Sequence, residues 1–331
     1  MTGEIDPYAV LRSLGYPEVE TLERVLGGWE TSLWRFVTPD GERRALRVYP
    51  GAQHTRGARN EEVALRACMV AGVPVPAVEA TGQWEGRAAL VLSWCPGRTC
   101  LAAMLRGPWS IWPIGLSLGR QQARIHRVPP PSVLLEGAPD CWLAKGAVQC
   151  PEVFARVRRM AISAGSLIHL DYHPLNVLTD KGRITGILDW PNAGAGDPRA
   201  DFARTATLLL TASAPPGPAR LLIGAARRLF YLAWRRGYVS EAGPLGDLAP
   251  LMAWAGATRL QDLEYARSRP QSWAGEEDFA AAHRWSTAGS GGPGSCETET
   301  AQARFWRCAR WLLISTCRAT RGNKPVGSGR S

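Results

Sequence analysis

Lysine is scarce in this chain of 331 residues, although the chain is strongly basic. It occurs only at Lys145, Lys181 and Lys324, so nearly all of the 39 basic residues are arginine. Together with the abundance of alanine, glycine and proline, this usage is typical of a GC-rich bacterial coding sequence. The segment before Lys145 contains no lysine, and any positive charge that a site needs there must come from arginine.

The sequence also lacks cysteine pairs with the spacing of metal ligands, and it lacks long apolar runs. The eight cysteines form no CxxC pair and show no metal-ligand spacing, and we expect no signal peptide before them. No apolar run approaches the ~20 residues that a membrane-spanning helix needs. We therefore expect a cytoplasmic protein in a reducing compartment, without a membrane partner.

Acidic residues are absent from the end of the chain, which accounts for most of the formal net charge of +10. Seven basic residues follow Ala301 with no acid among them, and without them the charge falls to +3. We therefore expect no nucleic-acid partner. The aromatic and basic segment 301–318 alone keeps a nucleic-acid or membrane binder open as an alternative. With 45% hydrophobic and 21% charged residues, the remainder is typical of a globular protein.

What the sequence does contain is a dense polar stretch at residues 166–190, which reads SLIHLDYHPLNVLTDKGRITGILDW. Asp171 and Asn176 follow a first short apolar run, and Asp189 follows a second. We expect the two runs to be adjacent strands, joined through the short turn at 180–182. The three polar side chains would then emerge side by side.

These side chains suit phosphoryl transfer. That reaction needs a carboxylate beside the attacking hydroxyl and a metal ion held against the phosphates. Asp171 is the candidate for the catalytic carboxylate. Asn176 and Asp189 supply the hard oxygen ligands that Mg²⁺ prefers.

The segments HLDYHPLN and ILDW resemble the catalytic loop and metal-binding motif of the aminoglycoside phosphotransferase family. The resemblance covers roughly residues 20–280. It implies an α+β, protein-kinase-like fold of two lobes, the first an antiparallel sheet with a helix and the second mainly helical. It also implies ATP and Mg²⁺ as cofactors and a small-molecule alcohol as acceptor. The family usually has glycine where this chain has Leu170, and often where it has Leu175; we expect these departures to affect packing rather than chemistry.

A hairpin near the amino terminus carries the first nucleotide-binding candidates. Asp40-Gly41 predicts a turn between strands at 33–37 and 44–49, and Ala45 and Arg47 share one face of the second strand. In the family's pattern the small residue covers the adenine and the basic residue reaches the phosphates. Kinases use lysine there, but arginine is a competent phosphate ligand. The alternative for Arg47 is a solvated strand residue.

Further candidates for nucleotide contacts flank this hairpin. Gly27 and Gly28 would let backbone amides approach a phosphate, because glycine has no side chain and tolerates unusual dihedral angles. After a buried strand, the resemblance places Ser93, Trp94 and Cys95 at the hinge, where their backbone groups would meet the adenine edge.

Three other residues are expected to support these groups. A carboxylate in the helix at 57–71 would pair with Arg47; Glu61 fits the family's pattern best, and Glu62 is the alternative. His126 resembles a core or capping residue behind the catalytic loop. Asp201 is expected to accept hydrogen bonds from backbone amides of that loop, since buried polar groups require partners.

We expect an amino-terminal lobe at 1–94, a carboxy-terminal lobe at 95–286, and a flexible linker with a basic tail at 287–331. The expected function is transfer of the γ-phosphoryl group of ATP to a hydroxyl of an aminoglycoside-like antibiotic or a metabolite alcohol. The alternative is a catalytically weak or inactive pseudokinase that binds nucleotide as a scaffold, which Arg47 suggests.

The acceptor and the oligomeric state stay open. Homoserine-like, choline-like and macrolide-like acceptors fit the sequence as well as an aminoglycoside does. Five acidic residues fall in the region where the family builds its substrate pocket, and they would favour a cationic aminoglycoside or form a solvated helix face. They are Asp262, Glu264, Glu276, Glu277 and Asp278.

Overall fold

The computed structural model describes residues 5–25, 31–212, 219–268 and 275–287. The predictions for Gly27 and Gly28, and those for the tail after residue 287, lie outside the described residues. None of the described helices is long and apolar enough to cross a membrane.

A five-stranded antiparallel sheet forms the first part of the fold, with strand order β1-β2-β3-β5-β4. The strands are β1 (Thr21–Val25), β2 (Ser32–Val37), β3 (Arg43–Val48), β4 (Val78–Trp84) and β5 (Arg87–Ser93). The predicted hairpin joins β2 to β3, and Gly41 in its turn has φ +83°. β5 lies between β3 and β4 and is buried along most of its length, whereas β4 is an edge strand, which fits the prolines that precede it.

Two helices cover the two faces of this sheet. On one face, α1 (Pro7–Ser13) buries Val10 and Leu11 in a cluster with side chains of β2, β3 and β5. On the other face, α2 (Thr55–Val70) buries Leu65 in the large cluster that contains Ala45. The alternation of β3 therefore points Ala45 and Arg47 toward the α2 side.

The rest of the described chain is mainly helical. Its helices are α3 (Cys100–Arg106), α4 (Ile111–Ile125), α5 (Ser132–Leu135), α6 (Asp140–Leu143), α7 (Pro151–Arg158), α8 (Pro198–Thr211), α9 (Ala219–Ala242), α10 (Ala249–Arg267) and α11 (Glu276–Thr287). α4 and α9 pack at very short distance because glycines line their contact. A Cβ atom at Gly119 would lie 2.0 Å from Trp234 O, and one at Gly237 would lie 2.2 Å from Leu116 O.

Two small sheets carry the polar stretch between these helices. β7 (Ser166–Ile168) pairs with β10 (Gly194–Gly196), and β8 (Val177–Asp180) pairs with β9 (Arg183–Ile187) and with β6 (Arg98–Thr99). The predicted hairpin turn is present in β8–β9, but the expectation that the runs at 166–168 and 184–188 are adjacent strands is wrong.

The residues of β10 are all small, and Gly196 packs closely against a side chain of β7. A Cβ atom at Gly196 would lie 2.2 Å from Ile168 Cδ1, so a larger residue there would require the buried Ile168 side chain to move. The chain then leaves β7 through Leu170, whose φ of +65° cannot continue a strand.

We propose lobe boundaries at 94/95 and 286/287. The five-stranded sheet ends at Ser93, and β6, which follows it, belongs to the sheet of the second lobe. Near its end α11 packs on α10, where a Cβ atom at Gly256 would lie 2.6 Å from Ser286 N.

Candidate active site

The loop after β7 is held in an unusual backbone conformation. Leu170 has a left-handed φ of +65°, and its amide donates to Asp201 Oδ1 at 2.5 Å. This conformation costs a non-glycine residue about 1–2 kcal/mol, which burial of the Leu170 side chain offsets. The departure from glycine at this position therefore affects the backbone as well as the packing.

Asp171 follows directly and projects from this fixed loop, with 25% of its side chain exposed. Asn176 Nδ2 donates to Asp171 Oδ2 at 3.1 Å and to Asp171 O at 3.0 Å. Burial acts to raise the pKa of Asp171, but the hydrogen bond and charge of His173 outweigh it and leave this pKa below its ordinary value. Asp171 is therefore ionised at neutral pH and can accept a proton or a hydroxyl hydrogen bond.

His173 is a site residue that the sequence analysis missed. Its Nε2 lies 3.5 Å from Asp171 Oδ1 and 3.3 Å from Asn176 Nδ2. The available signal was its position two residues after Asp171, inside the motif itself.

Asn176 and Asp189 lie at neighbouring ends of the β8–β9 hairpin. Asn176 immediately precedes β8, and its carbonyl accepts a 2.8 Å hydrogen bond from Leu188 N, next to Asp189. Asp189 has φ +68° and a side chain that is 41% exposed. The structure thus brings Asp171, Asn176 and Asp189 together, although their strands do not pair as expected.

Arg47 connects this site to the first sheet. Its Nη1 lies 2.6 Å from Glu61 Oε1, and its Nη2 lies 2.5 Å from Asp189 Oδ1. Burial works against the charge of Arg47, but the negative charges of Glu61 and Asp189 hold its pKa above its ordinary value. The predicted pair with Glu61 is confirmed, whereas Glu62 pairs with Arg66 on the surface of α2.

Glu61 is only 1% exposed and has three hydrogen-bond donors. Besides Arg47, Tyr49 Oη donates to its Oε2 at 2.5 Å and Trp190 N to its Oε1 at 3.2 Å. Burial, followed by the charge of Glu61, raises the pKa of Tyr49, so the phenol stays protonated as a donor. The bond from Tyr49 to Glu61 was not predicted from the sequence.

The expected hinge follows β5. Ser93 N donates to Ala77 O at 2.9 Å, and Trp94 N donates to Arg43 O at 3.2 Å. Since both amides are already bonded within the protein, an adenine edge would have to use carbonyl groups here or the amide of Cys95. Burial raises the pKa of the Cys95 thiol to about 11. Ala45 lies in the buried cluster next to this segment.

A buried polar network supports the catalytic loop from behind. Asp201 Oδ2 lies 2.8 Å from His126 Nε2 and accepts from Gln122 Nε2 at 3.1 Å, while Oδ1 accepts from Leu170 N. Burial acts to raise the pKa of Asp201, but the hydrogen bond and charge of His126 lower it to about 2. The predicted bond from Asp201 to a loop amide is confirmed.

We expect His126→Gln to lower the free energy of unfolding by about 1–3 kcal/mol, because the buried Asp201 carboxylate would lose a charge-assisted partner. Urea unfolding measures the change. Arg127→Gln is the matched control, since the next residue makes exposed contacts with Glu241, an ion pair and a hydrogen bond to its carbonyl oxygen, and its replacement should change stability by less than about 0.5 kcal/mol. Equal effects of the two substitutions would contradict the network.

Most of the five acidic candidates are engaged within the chain. Glu264 accepts from Gln149, Asp278 is buried at the start of α11, and the other three form ion pairs. The pairs are Asp262–Arg204, Glu276–Arg267 and Glu277–Arg220. Asp262 connects through Arg204 to the catalytic loop, because Arg204 Nε donates to Leu170 O at 3.4 Å.

Comparisons with known proteins agree with this architecture. A family model described as "Phosphotransferase enzyme family" matches residues 21–238. Over 44 residues the chain is 50% identical to the uncharacterised protein YcbJ of Bacillus subtilis (strain 168), a match that covers 13% of this chain and 14% of that protein.

Solved structures show the same fold at low sequence identity. Aminoglycoside phosphotransferase APH(4)-Ia matches with a TM-score of 0.54 and 18% identity, over 83% of this chain and 96% of that one. Amicoumacin kinase hAmiN, in complex with AMP-PNP, Ca²⁺ and Ami, matches with a TM-score of 0.56 and 16% identity, over 86% and 93%. The expected α+β, kinase-like fold is confirmed.

Proposed function

Because the chain belongs to the phosphotransferase enzyme family, we propose that it transfers the γ-phosphoryl group of ATP to a hydroxyl group of a small molecule. The observation that carries this proposal is the convergence of an ionised Asp171, Asn176 and Asp189 beside the buried Arg47–Glu61 pair. Adenine nucleotides bound to related kinases, AMP-PNP in hAmiN and ADP in a ternary complex of APH(4)-Ia with hygromycin B, support ATP as the donor.

In the proposed reaction the acceptor lies between the catalytic loop and the carboxy-terminal helices. Its hydroxyl oxygen forms a bond to the γ-phosphorus, the bond from that phosphorus to the bridging oxygen of ADP breaks, and ADP leaves. Asp171 orients the hydroxyl and accepts its proton. Arg47 contacts the α- and β-phosphates, and Glu61 positions Arg47. The residues at 93–95, Ala45 and the Gly27-Gly28 pair complete the proposed nucleotide site.

The residues present fit a divalent cation such as Mg²⁺. The Oδ1 atom of Asp189 already contacts a cationic group, the guanidinium of Arg47. Asn176 donates its amide nitrogen to Asp171, so the Oδ1 atom of Asn176 remains to bind a cation. Within the described ranges no cluster of three His, Cys, Asp or Glu residues forms a metal cage. Mg²⁺ in kinases relies on one or two protein oxygens together with phosphates and water. When bound by Asn176 and Asp189, the ion would neutralise phosphate charge.

We expect Asp189→Asn and Asn176→Ala to weaken Mg²⁺-dependent binding of ATP, with the larger effect for Asp189→Asn because it removes a charge. Calorimetric titration of each variant with ATP at several Mg²⁺ concentrations measures this. Asp180→Asn, an exposed residue at the other end of β8, is the control. Unchanged affinity and Mg²⁺ dependence in both site variants would remove these residues from the metal site.

A screen for ADP release with Mg²⁺ and ATP tests the function. The panel contains aminoglycosides, macrolides, choline, homoserine and simple hydroxy acids. Acceptor-dependent release that disappears in Asp171→Ala supports the proposal. If the chain binds ATP but releases no ADP in the presence of any acceptor, the scaffold alternative is favoured. The structural argument for that alternative is that protein carboxylates bind both Nη atoms of Arg47.

A further inference from the structure

A buried arginine lies directly behind the catalytic loop. Arg204, on α8, is 5% exposed, and its Nε donates to the carbonyl of Leu170, the residue before Asp171. Its Nη2 donates to Asp262 Oδ2 at 2.7 Å. The Asp262 side chain is 40% exposed, so solvent reaches this end of the ion pair.

The hydrogen-bonding capacity of Arg204 is not filled. Its Nη1 is buried and has no hydrogen-bond partner among the described residues. A guanidinium has five N–H donors, and leaving buried donors of a charged group unsatisfied costs free energy. Arg204 can therefore bind one more hydrogen-bond acceptor, and an anionic oxygen would bind most strongly.

A second buried arginine strengthens this preference. Arg259, on α10, is 7% exposed and lies three residues before Asp262 on the same helix. Burial lowers the pKa of Arg259, and the positive charge of Arg204 lowers it further, while Asp262 and Asp171 act to raise it. α10 packs against α8 and its Asp262 bonds to Arg204, so Arg259 lies on the helix that contacts the Arg204 side.

We propose that Arg204, with Arg259 beside it, binds an anionic group of the acceptor, so that the substrate is a hydroxyl compound bearing a carboxylate rather than a cationic aminoglycoside. This inference rests on the proposed phosphotransferase function. Arg204 would hold the carboxylate next to the loop that presents Asp171 to the hydroxyl. Asp262, exposed and bonded to the same guanidinium, occupies the position of the acceptor's carboxylate and yields to it.

Measuring ligand binding directly tests this inference without relying on catalytic activity. Isothermal titration of the full chain with glycerate, glycerol and choline compares an anionic, a neutral and a cationic alcohol of similar size. We expect glycerate to bind most tightly. Arg204→Gln should weaken glycerate binding about 10- to 100-fold, the loss of a charge-assisted hydrogen bond, with little change for glycerol. Arg199→Gln is the matched control on the same helix, because Arg199 bonds to Asp197 and Ala161 O instead.

Asp262→Asn distinguishes substrate binding from a purely structural brace. If Asp262 competes with the acceptor's carboxylate for Arg204, its neutralisation should tighten glycerate binding, and in turnover it should lower the KM for glycerate more than it changes kcat. If Arg204 only holds Leu170 in place, Asp262→Asn should not tighten glycerate binding. This variant also gives an answer if Arg204→Gln fails to fold.

Two results would overturn the proposal. One is binding of choline or glycerol as tight as that of glycerate to the wild-type chain, and the other is weaker or unchanged glycerate binding in Asp262→Asn. Failure of the proposed function has a different signature, since it shows no ADP release with any acceptor even if glycerate binding depends on Arg204. Phosphorylation of cationic acceptors alone, unaffected by Arg204→Gln, would keep the function and reject the inference.

Discussion

Replacing Asp171 by alanine is expected to lower acceptor phosphorylation by about 10²- to 10⁴-fold, the usual contribution of a positioned general base. The fold and the affinity for ATP should change little. The carboxylate is partly exposed, and the amide of Asn176 keeps its bond to the main-chain oxygen of residue 171 in the variant. The measurement is kcat for ADP release at saturating acceptor, together with a nucleotide titration.

Asp171→Asn refines this test because it keeps the shape of the side chain and removes its charge. If Asp171 accepts the proton, the asparagine variant should be nearly as slow as the alanine variant. If it only orients the hydroxyl, the asparagine variant should keep much of its rate. Asp140→Ala, which breaks an exposed ion pair with Arg158, controls for the loss of a carboxylate elsewhere. Turnover near the wild-type value in both Asp171 variants would exclude this residue from the mechanism.

The parts of the site that sequence reasoning predicted depend on local periodicity. The Asp40-Gly41 turn fixes the register of β2 and β3, and alternation along β3 then places Ala45 and Arg47 on one face. The pairing of Arg47 with Glu61 follows from the family's pattern and is present. The turn and the alternation each needed only a few consecutive residues, whereas the pair needed the family's pattern.

The parts that sequence reasoning did not predict depend on long-range contacts. β7 pairs with β10, a strand that comes much later in the sequence, and nothing in 166–168 itself specifies that partner. The left-handed conformation of Leu170 is held by Asp201, 31 residues away. A motif that shows glycine in relatives can mark such a conformation, but the contact that stabilises leucine there appears only in three dimensions.

Arg47→Ala is expected to lower the free energy of unfolding by about 3–5 kcal/mol, because it removes one partner of a buried ion pair and leaves Glu61 without its countercharge. We also expect a higher KM for ATP and a lower turnover, since a charge-assisted phosphate contact disappears. Arg44→Ala is the matched control on β3, where the arginine pairs with Glu79 and Glu42, which are both more exposed than Glu61; it should cost less than Arg47→Ala, because its partner carboxylates remain accessible to water.

Arg47→Lys should separate the two roles of the arginine. A lysine has a single ammonium group that can still reach a phosphate, so the KM for ATP should recover substantially. It cannot place one nitrogen on Glu61 and another on Asp189 as the guanidinium does. Stability should therefore recover only in part.

A double-mutant cycle with Glu61→Ala tests the pair itself. Glu61→Ala alone should be milder than Arg47→Ala, because Arg47 keeps Asp189 as a partner. On top of Arg47→Ala it should add little, since the buried charge that lacked a partner is removed with it. The expected coupling is about 0.5–3 kcal/mol in urea unfolding, and additivity within about 0.5 kcal/mol would reject the pair. A wild-type KM for ATP in Arg47→Ala, combined with the stability loss, would show that Arg47 joins the two lobes without contacting the nucleotide.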